Sequence, residues 1–199
     1  MQEWAIDRYG FSHQTLQEYF AADAVVRLGP EKGAALLEGY LEDPAWKEVI
    51  LLYAGLSDNA SPLLLRLMER ASRPAAGKDL WLLAARCMGE GAQGVVGDPL
   101  DKLVDALVKM LAGGDSLPAL TAQESGEVAG LLKGFAPKLL PARIQTLLAS
   151  ERKGDWLLAE SLLPPGADPE LAQAVAARLS PLSSSEEAQE RQAVMAALG

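Results

Sequence analysis

Residues 10–22 read "GFSHQTLQEYFAA" and contain His13, the only histidine of the 199-residue chain. A Ser-His-Asp hydrolase would have to use this imidazole as its general base. The sequence, however, has neither a Gly-x-Ser-x-Gly nucleophile elbow nor a framework of strands to support one. One histidine and one thiol, Cys87, leave only carboxylates as metal ligands, and the chain has no Asp-x-Asp-x-Asp-Gly calcium loop. The sequence therefore predicts no enzyme, no catalytic residue, no metal site and no cofactor.

Cys87 and two glycine-rich stretches are the other candidates for chemistry. Cys87 lies in the apolar segment "LLAARCMG", which predicts a buried, inert thiol. The stretches "GPEKGAA" and "GEGAQGVVG" lack the Gly-Lys-Ser/Thr ending that binds phosphates, and no acidic residue follows an apolar strand. We interpret both as turns.

Charge and composition narrow the class of partner. The net charge of −9 opposes binding to phosphate backbones, so we expect no nucleic-acid partner. Arg66, Arg70 and Arg73 would form a basic stripe on one helix, which we interpret as a solvated face. No apolar run is long enough to span a membrane, and no signal peptide is evident, so the expected location is the cytoplasm.

Helical spacing of apolar residues runs along nearly the whole chain and predicts an all-α fold of about ten helices without strands. Three apolar stripes illustrate this spacing: Leu16, Phe20, Ala24 and Leu28; Leu100, Leu103, Val104, Leu107 and Leu111; and Leu171, Val175 and Leu179. Helix starts are predicted at Asp43-Pro44, Ser61-Pro62, Asp98-Pro99, Asp168-Pro169 and Pro141, with capping boxes at Thr121/Glu124 and Ser183/Glu186.

Several segments resemble one another and indicate repeats. The segments "AWKEVILLYAGL", "LWLLAARCMGEG" and "DWLLAESLLPPG" each contain a tryptophan as their second residue, at Trp46, Trp81 and Trp156, and "SGEVAGLLKGF" would be a degenerate copy. Pairing the helices gives units at 44–72, 78–112, 122–150 and 153–180, which favour an irregular HEAT-like α-solenoid of helical hairpins over an irregular bundle. The three tryptophans are then expected to pack between helices rather than serve as binding hot spots.

The segment "YGFSHQTLQEYFAA" resembles the end of the winged-helix region in NACHT-type STAND NTPases. "WKEVILLYAGL" at 46–56 is similar to the helix that follows in bacterial members and leads into C-terminal repeats. The resemblance implies that residues 1–43 are the end of the winged-helix-like region with its leading helices. Residues 44–199 are then HEAT-like repeats with a C-terminal capping helix.

In that family the histidine of this segment contacts the phosphates of bound ADP, which makes His13 the implied nucleotide contact. Ser12 as helix cap and the free amides of a helix N-terminus suit such a role. Covering the helix start, or bonding a neighbouring carbonyl, is the alternative for His13. Without a phosphate loop the chain is expected to be a C-terminal piece that works with an NTPase module elsewhere in the parent protein.

The resemblance implies a non-catalytic sensor and interaction scaffold for signal transduction. A protein partner or an unknown ligand would bind the repeat surface, and the repeats would relay this binding to the nucleotide switch. The alternative is a free-standing HEAT-like protein–protein adaptor.

Overall fold

Helices form most of the chain in its computed structural model, which describes residues 2–5, 8–10, 13–73, 77–113 and 117–183. Ten α-helices lie within these residues: α1 Gln14–Val26, α2 Pro30–Leu37, α3 Lys47–Leu56, α4 Ser61–Ala71, α5 Asp79–Gly89, α6 Asp98–Leu111, α7 Ala122–Phe135, α8 Leu140–Leu148, α9 Lys153–Ser161 and α10 Pro169–Leu179. Short 3₁₀ helices occupy Glu38–Tyr40, Pro44–Trp46 and Ser180–Ser183. The all-α prediction and the expected helix count are confirmed.

Two short strands precede the helices, and the prediction of a chain without strands is wrong at this point. Strand β1 (Gln2–Ala5) pairs antiparallel with β2 (Arg8–Gly10), with Glu3 opposite Tyr9. Strands are recognised in a sequence by alternation over four to eight residues. Segments of four and three residues lie at or below the lower limit for that signal.

Three of the predicted helix starts are capped as expected. The Asp43 carboxylate accepts a hydrogen bond from the Ala45 amide at 2.9 Å, and Asp168 accepts from the Glu170 amide at 2.8 Å. Thr121 and Glu124 form the predicted capping box at the start of α7. Pro141 is the second residue of α8, as expected for a proline that opens a helix. The Ser183/Glu186 box lies outside the described side chains.

Ser61 and Asp98 are not caps, contrary to prediction, because each is the first residue of its helix. Asn59 provides the side-chain oxygen near the start of α4, accepting from the Ser61 amide at 3.0 Å, while the Ser61 hydroxyl donates to the Gly94 carbonyl at 2.7 Å. Gly97 is the N-cap of α6, with φ of 66°. Only glycine adopts this left-handed conformation readily, so the chain turns into α6 without a side-chain cap.

Contacts between helices two places apart along the chain arrange most of the helices in two layers. In one layer α1 contacts α3, α3 contacts α5, and α5 contacts α7. In the other layer α2 contacts α4, α4 contacts α6, and α8 contacts α10. Contacts of α4 with α5, α6 with α7, and α8 with α9 join the layers. This arrangement is compatible with helical-hairpin repeats, and the HEAT-like assignment stays a prediction.

Arginine–carboxylate pairs connect helices of the same layer. Arg86 on α5 donates two hydrogen bonds to Glu127 on α7, with Nε–Oε1 and Nη2–Oε2 distances of 2.5 and 2.8 Å. Arg143 on α8 reaches Asp101 and Asp105 on α6 at 2.7 and 2.9 Å. A two-pronged guanidinium fixes both the spacing and the angle of the two helices that it joins.

One apolar core extends from Ala22 in α1 to Leu182 after α10. The predicted apolar stripe of α6 contributes to this core: Leu100 is half-buried, and the other four residues of the stripe are buried. All three residues of the predicted stripe of α10 are also buried in the core. The core therefore crosses the predicted boundary between residues 43 and 44. The two-part division of the chain stays a prediction.

The tryptophans meet the packing expectation to different degrees. Trp81 is 5% exposed, as predicted. Trp156 is half-buried: its indole donates to the Ser150 carbonyl at 2.8 Å, and the Arg178 guanidinium lies 4.1 Å from its ring. Trp46 is also half-buried and stacks on Tyr40 with ring centroids 4.0 Å apart.

Replacing Trp81 by alanine should lower the free energy of unfolding by ~3 to 5 kcal/mol, because it empties a large core volume. Trp81→Phe should cost clearly less. The buried Trp81 Nε1 has no hydrogen-bond partner in the described part of the chain, so phenylalanine removes an unsatisfied donor while keeping most of the ring. Urea unfolding measures both changes. Equal losses for the two variants would contradict the described packing of the indole.

Acid should weaken the link between Lys78 and Glu124. The Lys78 ammonium, 2.7 Å away, and the Thr121 amide lower the pKa of Glu124 from its ordinary 4.5 to about 2. A depressed carboxyl pKa stabilises the fold above the unfolded pKa, and this contribution is lost as pH falls from about 4.5 towards 2. Glu124→Gln keeps a residue that can complete the capping box but removes the charge.

We therefore expect wild type to be more stable than Glu124→Gln at pH 6, and the difference to shrink between pH 4.5 and 2. Thermal melts over this pH range measure it. Glu151→Gln is the control, because Glu151 is exposed and has no ion pair among the described residues. A wild-type advantage that persists at pH 2 would contradict the assigned cause.

Candidate interaction surface

His13 is the N-cap residue of α1, whereas the sequence predicts it to be the first residue inside the helix. Its backbone is extended, with φ of −131° and ψ of 126°, and the helix begins at Gln14. The predicted helix start at His13, behind a Ser12 cap, is therefore wrong by one residue. Ser12 itself lies outside the described residues. The extended backbone of His13 is the conformation that an N-cap residue normally adopts.

The His13 side chain is exposed and makes no cap hydrogen bond. Its carbonyl accepts from the Gln17 amide at 3.4 Å, and the first turn of α1 contains no acidic residue. The imidazole therefore stands beside first-turn amides without a carboxylate of that turn competing for them. A negatively charged group could meet both the imidazole and the positive end of the helix dipole.

The apolar face of α1 points outward, which contradicts the predicted packing of Leu16, Phe20, Ala24 and Leu28. Leu16 is 47% exposed, Phe20 52% and Leu28 48%, and Ala24 is exposed as well. The buried residues of α1 are instead Ala22 and Val25. The smaller side chains of α1 are the buried ones, and small side chains let packed helices such as α1 and α3 approach closely. The larger side chains remain on the outer surface.

Tyr19 extends this outer surface. Its side chain is 43% exposed, and its ring meets Phe20 edge to face at 5.8 Å. We call Leu16, Tyr19, Phe20 and Leu28 the α1 surface. An exposed cluster of large apolar side chains on one helix is typical of a contact site for another protein element.

The exposed apolar residues of the described chain concentrate at its N-terminal end. Nine large apolar side chains are exposed, and all belong to the first half of the chain: Leu16, Tyr19, Phe20, Leu28, Leu36, Tyr40, Leu56, Leu65 and Val96. Six of them precede residue 41. The opposite end is different, since the exposed positions of α10 include Glu170, Gln173 and Arg178.

The arginine stripe of α4 is paired with carboxylates rather than simply solvated. Arg66 forms an ion pair with Glu38, and Arg70 Nε lies 2.6 Å from Glu42 Oε1. Arg73 is 3.8 Å from Glu69. The stripe therefore links α4 to the segment after α2, and its charges are largely neutralised.

The two glycine-rich stretches serve packing and chain reversal. "GEGAQGVVG" joins α5 to α6, as predicted, and its Gln93 carbonyl accepts from the Ala60 amide at 2.8 Å. "GPEKGAA" is not a turn throughout, because Pro30 begins α2 and only Gly29 has a positive φ. A Cβ on Gly33 would lie 2.8 Å from the Tyr53 ring, so this glycine permits α2 to pack on α3.

Cys87 is fully buried, as predicted, and burial raises the pKa of its thiol to about 12. A thiol with this pKa is protonated at neutral pH and is a poor nucleophile. Among the described residues no group of three or more His, Cys, Asp and Glu side chains is placed to hold a metal ion.

Two of the grooves between helices of the described chain are lined by several charged side chains each. One, of about 410 Å³, lies between residues 41–47 and α5. The other, of about 560 Å³, lies between α6 and α8 and is lined by Arg143 and Arg152. Both of these arginines are bonded to aspartates, and Arg152 also donates to the Ala112 carbonyl at 2.9 Å.

No helix of the described residues combines the length and the apolar character needed to cross a bilayer. The chain matches no protein-family model, no curated protein and no solved structure. The α1 surface and the interhelical grooves are therefore the features on which a function can be argued.

Proposed function

We propose that this chain is a non-catalytic helical-repeat sensor and interaction scaffold of a NACHT-type NTPase, acting in the cytoplasm. The proposal is carried by one observation: the first helix of the stack presents large apolar side chains on its outer face. The resemblance of residues 9–22 and 46–56 to that family supplies the identity of the missing neighbour.

The end of a helical-repeat stack normally has a polar outer face, because nothing stacks on it. The α1 surface does not fit this description. An apolar outer face at α1 is expected where a further module continues the packing. In the proposed parent protein this module is the winged-helix and nucleotide-binding region.

His13 would act at this junction. It stands at the N-cap of α1, exposed, with the helix dipole behind it. When the NTPase module packs on the α1 surface, the imidazole and the first-turn amides would face that module. This placement supports the role of an ADP contact that the resemblance implies.

Binding on the repeats would then reach the switch through the layer that ends at α1. The helices α1, α3, α5 and α7 are in successive contact, and Arg86 with Glu127 fixes α5 to α7. A ligand that prefers one orientation of this layer would bias the nucleotide state by its difference in affinity. A free-standing adaptor is the competing function, in which the α1 surface binds a separate protein.

The reading frame that encodes the chain decides between these two functions. We expect it to continue upstream of Met1 into a sequence with a Gly-x₄-Gly-Lys-Ser/Thr loop. An upstream stop codon in the same frame would overturn the NTPase assignment and leave the adaptor. Calorimetry on the 199-residue chain provides a second check, because the repeats alone should bind neither ADP nor ATP.

His13→Ala should separate the structural role of this residue from its role in the switch. In the isolated chain the exposed imidazole makes no cap bond, so its loss should cost at most ~1 kcal/mol and lower the melting temperature by less than about 4 °C. In the full-length parent the same change should speed ADP release. Unchanged release would remove His13 from the nucleotide site.

The α1 surface is tested by the double substitution Leu16→Ser and Leu28→Ser. Both side chains are exposed, so the isolated chain should keep its stability within about 0.5 kcal/mol. In the parent protein the changes should loosen the proposed junction and accelerate ADP release. Leu65→Ser is the matched control, being 46% exposed on α4. Equal effects of the control and the double variant would contradict docking at α1.

A further inference from the structure

The groove of about 410 Å³ beside α5 combines an apolar floor with charged walls. Its volume lies within the range of ligand sites in proteins. Residues from three parts of the chain line it: the segment Leu41–Pro44, Lys47 at the start of α3, and α5 with the residues before it. Leu41, Leu80 and Leu83 supply apolar surface.

Some of the charges in this groove are committed to partners within the protein. Glu42 accepts from Arg70, and Arg86 is held by both oxygens of Glu127. Each of these pairs is electrically neutral. Neither member can be taken over by a ligand without breaking an existing ion pair.

The remaining charges form no ion pair. Asp79 and Lys47 are exposed, and neither has an ion pair or side-chain hydrogen bond among the described residues, although Asp79 interacts electrostatically with Arg86 and Lys47 with Glu127. Asp43 uses only Oδ1, which accepts from the Ala45 amide. Outside the ion pairs, the groove is thus lined by two carboxylates and one ammonium group, a net charge of −1.

We propose that this groove binds a short peptide segment in which basic and aliphatic residues alternate. A lysine or arginine of the peptide is held by the carboxylates of Asp79 and Asp43. Its aliphatic side chains cover the leucine floor, and Lys47 meets a carbonyl oxygen of the peptide backbone.

Charge complementarity favours a basic ligand over an acidic one. For an acidic ligand, Lys47 is the one cation of the groove outside an ion pair, and the carboxylates of Asp43 and Asp79 would repel that ligand. The net charge of −9 also attracts a cationic peptide and repels an anionic one at a distance. The inference rests on the proposed binding function of the repeats and adds the class of ligand.

The test uses the 199-residue chain alone, so its outcome is separate from the reading-frame test of the NTPase assignment. The probes are three capped pentapeptides: Leu-Arg-Leu-Lys-Leu, Leu-Gln-Leu-Gln-Leu and Leu-Glu-Leu-Glu-Leu. Calorimetry at low ionic strength should give the tightest binding for the basic peptide. Added salt should weaken that binding, because the pairing charges are exposed.

Asp79→Asn tests the position of the peptide. It should weaken binding of the basic peptide about fivefold, the effect of one exposed charge pair. Asp98→Asn is the matched control, because Asp98 is likewise exposed and the first residue of its helix, α6, but lies outside this groove. The control should bind as wild type does, and melts should confirm that both variants fold.

Four results would overturn the proposal. The acidic or the neutral peptide could bind as tightly as the basic one, or none of the three could bind at millimolar concentration. Equal effects of the two asparagine substitutions would place any bound peptide outside the groove. Tighter binding of the acidic peptide that is lost in Lys47→Gln would assign the groove to anionic ligands instead.

Discussion

Short helices that bury their apolar faces on neighbours of the same layer are the constraint on which this structure depends. The ten α-helices of the described chain have 8 to 14 residues, and isolated helices of this length are marginal in water. Each is stabilised by contacts with neighbouring helices, both within a layer and between the layers, and Arg86 and Arg143 add paired hydrogen bonds to that packing. Because stability of this kind depends on neighbouring helices, a further element that packs on the exposed outer face of α1 would add to it.

The sequence predicts the helices well because its signals are local. Asp43, Thr121 and Asp168 bond the amides that their positions predict, and the apolar stripe of α10 is buried as expected. Ser61 and Asp98 show the limit of the rule, because a serine or aspartate before proline can equally be the first helical residue. The Ser61 hydroxyl donates a hydrogen bond to the carbonyl of Gly94, thirty-three residues away, and no local sequence pattern predicts this bond.

The candidate sites were harder to predict than the helices. Helical spacing groups Leu16, Phe20 and Leu28 on one face but does not say whether that face meets the core or the solvent. Ala22 and Val25 on the opposite face are buried instead. Deciding which face packs more closely on α3 requires the positions of both helices. The groove beside α5 was not predicted at all, since Lys47, Asp79 and Leu83 are ordinary helix residues until the layer brings them together. The only sequence signal for this groove is that Asp43 and Asp79 lie at helix starts. Acidic residues are common at such positions because they complement the helix dipole, so they predict no groove.

The groove and the α1 surface belong to the same layer, and this placement connects the two proposals. Lys47 begins α3, the helix on which α1 packs, and Asp79 begins α5, the next helix in that layer. A peptide bridging them would favour one spacing of α3 and α5. Because α5 is also joined to α7 by Arg86 and α3 packs on α1, a change in the spacing of α3 and α5 would reach α1 through α3. In the proposed function, peptide binding would thus alter the helix that carries His13 without any contact between the peptide and the proposed nucleotide module.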